Sequence, residues 1–258
     1  MQKLLSLFVF VAFPYFLSAQ MVVGVDTLYG NEWINYDQSY YKIPVAEDGL
    51  YRLTGTELVA AGVPISTINS GQFQLFHLGR EVPIYVSATG QLTGSDYITF
   101  VGKKNRTALE SFLFSAPTVM LNPEYSLFTD TSAYFLTWNT NTTGLRYQSV
   151  TNDTTNHPAP EPYFLRKLTK NFTDYWAKKE GGSGSKFSHF DVAEGFSTSL
   201  KTKQNQTFSP IAPYLAGPDA QIQVNYAGRG ADHHQEIRIN NNLITTDEYN
   251  GWEARHLT

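Results

Sequence analysis

"GADHHQEIRINNN" (residues 230–242) crowds Asp232, His233, His234 and Glu236 into five positions. Such a stretch builds either a metal or acid–base site, or one polar strip of a β-sheet. The residues that follow decide between them. Ile237 and Ile239 alternate with Glu236 and Arg238, which is the two-residue period of a strand. On that period His233 and Gln235 share the isoleucine face, while His234, Glu236 and Arg238 point the other way. Adjacent histidines on one strand therefore diverge. The helical His-Glu-x-x-His spacing, which stacks two ligands one turn apart, is absent. Asp232, His234 and Glu236 remain the metal candidates, provided that Asp232 to His234 lie in a loop before the strand. Asn240 to Asn242 then make a turn, because Asn tolerates left-handed φ. The stretch reads as strand plus turn.

Composition extends that reading to the whole chain. The sequence has 258 residues, room for one large domain or two ordinary ones. Charged residues are 16% of it, against roughly 25% in typical soluble domains. Sixteen Tyr, 17 Phe, 19 Gly and 12 Pro suit many strands joined by turns. The net charge of −4 offers no basic excess to neutralise phosphates, so nucleic acid is not an expected partner. Cysteine is absent, which removes disulfides, thiol nucleophiles and thiolate metal sites together.

Residues 1–19 have the form of a secretory signal peptide: Lys3, the apolar run 4–17 and small residues before Gln20. The run is shorter than the ~20 residues that span a bilayer, and no later run reaches that length. The expected product is exported to the extracellular or outer-membrane surface, or the periplasm, without a membrane span.

After a lead-in (20–32), residues 33–146 form an expected first β-rich domain. "YYKIPVAEDGLYRL" (40–53) reads as a hairpin turning at Glu47-Asp48-Gly49, and "TGTELVAAGV" (54–63) as a short helix with capping-box spacing from Thr54 to Glu57. "QFQLFHL" and "EVPIYV" flank Gly79-Arg80 as a second hairpin, with Pro83 favouring an edge. Strands are expected at 96–102 and 133–138, with irregular coil between them. "TNDTTNHPAPEP" lies in a polar, Pro-rich linker spanning 147–162. A second β-sandwich domain, 163–258, has strand or strand-and-turn segments at 220–228, 234–242 and 243–249, and its end at "GWEARHLT" looks cut short. The expected fold class is mainly β, two β-sandwich-like domains in tandem.

Other motifs supply no constellation for catalysis. "GGSGS" (181–185) lacks both the final Gly and the preceding strand of a nucleophile elbow. Glu47/Asp48 and Asp247/Glu248 are read as solvated turn formers. Asn105, Asn141, Asn152, Asn171 and Asn205 each begin an Asn-x-Ser/Thr triplet, a glycan acceptor only in a host with that machinery. Trp33, Trp138, Trp176 and Trp252 suit sandwich packing or sugar stacking. No catalytic residue and no cofactor is expected.

Several segments together form a pattern. "WINYDQSYYKIPVAEDGLYRLTGTELVAAGV", "FQLFHLGREVPIYV", "DYITFVGKKN" and "NPEYSLFTDTSAYFLTW" occur in that order, followed by "VNYAGRGADHHQEIRINNNLI" and "YNGWEARHLT". From residue 33 onward the chain resembles the N-terminal region of gingipain-type cysteine peptidases, most closely the sortase-like members of type IX secretion. The resemblance implies β-domains preceding an α/β peptidase domain whose chemistry needs a histidine and a cysteine thiolate. With no cysteine here, none of those catalytic residues carries over. The implied role is a non-catalytic module whose partners are its own downstream peptidase domain and outer-membrane secretion components. The rival readings are a β-sandwich adhesin or glycan-binding protein, and a hydrolase using Asp232, His234 and Glu236.

Overall fold

A computed structural model describes residues 21–23, 26–28, 30–151, 153, 155, 158–177, 189–209 and 211–258. The leader at 1–19, the Gly-rich stretch 181–185 and Asn152 lie outside the described residues. The fold is mainly β, built from several antiparallel sheets. No described helix is long and apolar enough to cross a membrane.

Strands β1 (Met21–Val23) and β2 (Asp26–Leu28) pair with each other. The first sandwich follows, from β3 (Tyr41–Val45), β4 (Gly49–Thr54), α1 (Gly55–Ala60), β5 (Phe73–His77), β6 (Arg80–Val82), β7 (Tyr85–Val86), β8 (Tyr97–Gly102) and β9 (Ser132–Trp138). One sheet runs β3-β9-β5-β6 and the other β4-β8-β7. Between them lies a core of Val45, Phe73, Leu75, Ile98, Phe100, Tyr134 and Leu136. With no disulfide to help, burial of such side chains, worth roughly 1.5–3 kcal/mol each, holds the sheets together. Helix α1 has the capping box expected of Thr54 and Glu57, contributes Leu58 to the core and ends before Gly62 at φ +87.

One expected hairpin is corrected. β3 and β4 are consecutive but do not pair: β3 lies against β9, and β4 against β8 in the opposite sheet. The Glu47-Asp48-Gly49 turn is a corner between layers. The physical reason is burial. Side by side, the two runs would place Val45 and Leu53 in one sheet; apart, they pack into the shared core from opposite sides. Asp48 is drawn away from closing a tight turn, accepting from the Lys104 backbone N–H at 2.9 Å and pairing with Arg106 at 2.5 Å.

The second hairpin forms in part: its turn lies one residue earlier than Gly79-Arg80, only Arg80–Val82 pairs with β5, and Tyr85–Val86, beyond Pro83, pairs with β8 in the other sheet. β5 and β6 turn through Leu78 (φ 49) and Gly79 (φ 77), a pair of left-handed residues that matches the twist of a two-residue hairpin. Pro83 directly follows β6 at the sheet edge. On the outer face of that sheet Trp33 packs against Phe76 and Phe135, with ring centroids 5.3 Å apart in each case.

The irregular stretch 105–128 contains two short 3-10 turns, Ser111–Leu113 and Pro117–Val119. It leaves the first sandwich and meets the second half of the chain. Phe190 N–H donates to the Leu113 carbonyl (2.8 Å), Ala193 N–H donates to Val119 (2.7 Å), and the rings of Phe114 and Phe190 lie 5.2 Å apart. In that half, β10 (Asp174–Trp176) pairs with β11 (Gly195–Ser197), β12 (Val224–Ala227) with β15 (Ala254–Leu257), and β13 (His233–Ile239) with β14 (Asn242–Tyr249). The "ARHL" of the final residues is thus a paired strand.

After β9 the chain is stapled back by Arg146. Its guanidinium donates to the carbonyls of Ser70 (2.5 Å), Phe73 (3.0 Å) and Leu145 (2.9 Å), and burial lowers its pKa. Gly144 makes this approach possible, since a Cβ there would overlap the Phe73 carbonyl oxygen, whereas Gly90 has open space around it. Gly144→Ala is expected to cost roughly 1–3 kcal/mol, and Gly90→Ala to be near neutral. Thermal unfolding of the two variants checks the contrast.

Candidate functional site

The stretch that opened the analysis is β13 and its turn. Exposure alternates from His233 to Ile237, with Ile237 buried and His234 and Glu236 exposed. A bulge between Ile237 and Arg238 ends the alternation and leaves Ile239 exposed. Asn240 (φ 49) and Asn241 (φ 68) make the turn to β14 in the left-handed region.

The three metal candidates are not brought to one point. Asp232, at φ 50, turns aside and accepts from the Asn250 side-chain amide at 2.7 Å. His234 sits across from Glu248 on β14, and its Nδ1 is hydrogen-bonded to that carboxylate. Glu236 approaches the other ring nitrogen at 3.7 Å, and is itself held by Arg238 at 2.8 Å. Two carboxylates on opposite ring nitrogens favour the imidazolium, whereas a metal needs a free lone pair there. The His234 pKa is raised, chiefly by Glu248, and that of Glu236 is lowered, chiefly by Arg238. Among the described residues, no group of three or more His, Cys, Asp or Glu is placed to hold an ion. The arrangement is an exposed cross-strand ion pair.

The more tightly built polar group was not anticipated. Asp247 and Glu248 lie in β14, not in a turn, and the strand sends them to opposite faces. Glu248 goes out to His234. Asp247 goes inward, where Arg255 of β15 grips it with two bonds (2.6 and 2.8 Å) and the Tyr226 hydroxyl of β12 donates to it at 2.5 Å. Arg255 also lies 5.4 Å from the centre of the Tyr249 ring, which stacks on His233 at 4.6 Å. The Asp247 pKa is lowered, first by Arg255 and then by Tyr226, while burial and Asp247 raise that of Tyr226. This cluster ties the β12–β15 ladder to the β13–β14 hairpin. The signal was present in the alternation of "TTDEY", where a carboxylate on the inward phase demands a partner.

Two buried carboxylates, Glu110 and Glu194, line a small cavity where the 105–128 stretch meets β11. Each is committed to nearby chain: Glu110 accepts from the Ser126 hydroxyl and the Leu127 N–H, and Glu194 from the Tyr175 hydroxyl and the Asp191 N–H. Burial, then Glu194, pushes the Tyr175 phenol up to about 12. The cavity holds about 10 Å³, space for one water.

The remaining candidates have structural work. All four indoles are packed: Trp33 in its aromatic cluster, Trp138 stacked on Tyr41 (6.1 Å), Trp176 donating to the Thr198 carbonyl (2.7 Å) and Trp252 to that of Val192 (2.6 Å). Of the triplet asparagines, Asn141 and Asn205 are exposed, whereas Asn105 donates to Ser126 and Thr129 and Asn171 accepts from Asn122. The chain contains no cysteine and so no cysteine-peptidase nucleophile.

No family model matches the chain, and neither the curated proteins nor the solved structures contain a significant match.

Two outcomes test this geometry. Because Glu248 raises the His234 pKa, their pairing contributes below the ordinary histidine value of about 6.5 and is lost as pH rises through the raised one. An NMR titration of His234 should have its midpoint above that of a free imidazole, and Glu248→Gln should bring it down. Asp247→Asn is expected to cost roughly 2–3 kcal/mol in denaturant unfolding, because Arg255 loses a charged partner. With the Asp247 pKa lowered, its contribution is present above the ordinary carboxylate range and disappears as pH falls through the depressed value. The variant should therefore lose less stability on acidification than the parent.

Proposed function

We propose that this chain is a non-catalytic β-module of an exported gingipain-type peptidase of type IX secretion. On this reading it carries and positions a thiol-bearing catalytic domain supplied by the rest of the parent protein. The observation that carries the reading is the combination in residues 33–258 of the family-like segment order with a complete lack of cysteine. The thiolate that performs the family's chemistry must then come from elsewhere in the parent.

The architecture suits a mount. The 105–128 stretch is braced by Arg106, which holds both Asp48 and Glu124, and joined at Leu113 and Val119 to Phe190 and Ala193 by backbone hydrogen bonds. Trp252 adds a further bond to Val192. Contacts spread over backbone and rings resist rotation better than a flexible linker does. Components of an outer-membrane secretion apparatus are the proposed external partners.

The test compares the purified chain with the parent polypeptide read from the coding DNA beyond codon 258. The chain alone should hydrolyse no peptide. The parent should do so, and alkylation of its thiol should abolish the activity. Peptidase activity mapped to residues 20–258, or a parent that lacks a histidine- and cysteine-bearing domain, would refute the reading.

A further inference from the structure

Asn250-Gly251 is the one Asn-Gly pair in the sequence, and it lies in the loop between β14 and β15. Asn250 is exposed. Gly251 sits at φ +80 with open space where a Cβ would stand, and its N–H donates to no described residue. An asparagine followed by an unhindered glycine nitrogen is set up to react with its own backbone. The Gly251 nitrogen, giving up its proton to hydroxide, can close on the Asn250 Cγ, because no side chain on Gly251 blocks the approach. A C–N bond forms there, the Cγ–Nδ2 bond breaks, and ammonia leaves with a proton from water. Water then opens the five-membered imide at either carbonyl, leaving aspartate or isoaspartate at position 250. One water enters, one ammonia departs, and nothing is oxidised or reduced.

One restraint opposes the reaction. The Asn250 amide donates to Asp232 at 2.7 Å, so it reaches across to the chain ahead of β13 rather than back over its own backbone. That bond closes the open end of the hairpin, just beyond the His233–Tyr249 pair. The Asp48-Gly49 pair offers a comparison within the same molecule. Its carboxylate is held by Arg106 and by the Lys104 N–H, and Gly49 lies in the β4–β8 ladder, so both partners are fixed. At Asn250-Gly251 only the side chain is held.

We propose that Asn250 is a self-modifying site whose amide is converted to aspartate or isoaspartate, with the Asp232 carboxylate as the brake. This does not depend on the peptidase reading above. The product turns a donor into a carboxylate that faces Asp232, and an isoaspartate also lengthens the main chain ahead of Trp252 and Arg255. Those two side chains tie this part of the chain to Val192 and to Asp247. The modification therefore loosens the joint between the β13–β14 hairpin and the β12–β15 ladder.

The test incubates the whole chain in neutral and in mildly alkaline buffer and follows the peptide containing Asn250 by mass spectrometry. The expected result is amide-to-acid conversion at Asn250, split between two chromatographically distinct products and faster at the higher pH. Asp232→Gly removes the acceptor and suits the left-handed φ of 50; it should speed conversion by about tenfold, the factor for one hydrogen bond. Asp232→Asn keeps an oxygen acceptor and should stay near the parent rate. Asn250→Asp should lower the thermal midpoint and speed hydrogen exchange at residues 230–234. The proposal is overturned if Asn250 stays an amide under conditions that convert a synthetic peptide of residues 247–253. It is overturned equally if Asp232→Gly leaves the rate unchanged, if Asp232→Asn matches Asp232→Gly, or if Asn250→Asp moves neither the midpoint nor the exchange.

Discussion

Tyr134 is the residue on which the first sandwich turns. It sits in β9, one of the two inner strands of the four-stranded sheet, yet its hydroxyl accepts the Lys103 N–H at 2.9 Å, just beyond the end of β8 in the other sheet. Its ring meets Phe100 across the core at 5.1 Å and stacks on His77 within its own sheet at 4.1 Å. A buried phenol without a partner would be costly, so the bond that fixes the spacing of the sheets also makes the burial tolerable. Burial raises the pKa of this tyrosine and lowers that of His77, in both cases favouring the uncharged ring. With no cysteine available, a few such cross-sheet contacts fix the geometry that disulfides fix in many exported proteins.

Much of this architecture was legible in local patterns. The capping box at Thr54, a turn within a residue of Gly79 and the alternation of β8, β9 and β13 all depend on neighbours within a few residues. What escaped the sequence depended on distant ones. "AEDGLY" has the composition of a hairpin turn whether the flanking runs pair with each other or part to opposite sheets; Arg106 and the shared core decide, and neither is local. The candidate site divides in the same way. That His234 and Glu236 would share an exposed face followed from period two. That Asp247 would turn inward to Arg255 and Tyr226 required knowing which ladder lies opposite.

The two halves of the protein are stabilised differently. The first has a continuous apolar core with polar groups at its margins. The β12–β15 and β13–β14 ladders are two-stranded, and such ladders are marginal alone. A charged group, Asp247 with Arg255 and Tyr226, joins them, supported by the Tyr249 and His233 rings. Such a network gives directional specificity more than raw stability. It fixes the orientation of the hairpin that carries the exposed Ile239, Leu243 and Ile244.

The corner between β3 and β4 has a kinetic consequence. Because β3 turns away from its sequence neighbour, Tyr41 must wait for Leu136 before its sheet can close, and Gly49 for Gly102 before the other can. Pairings between residues so far apart in sequence form slowly, since the loop-closure entropy comes first and the contacts afterwards. A chain emerging N-terminus first therefore stays open through most of the first unit. The β4-β8-β7 ladders can form earlier, but the β3-β9-β5-β6 sheet, and with it the closed core, waits for β9.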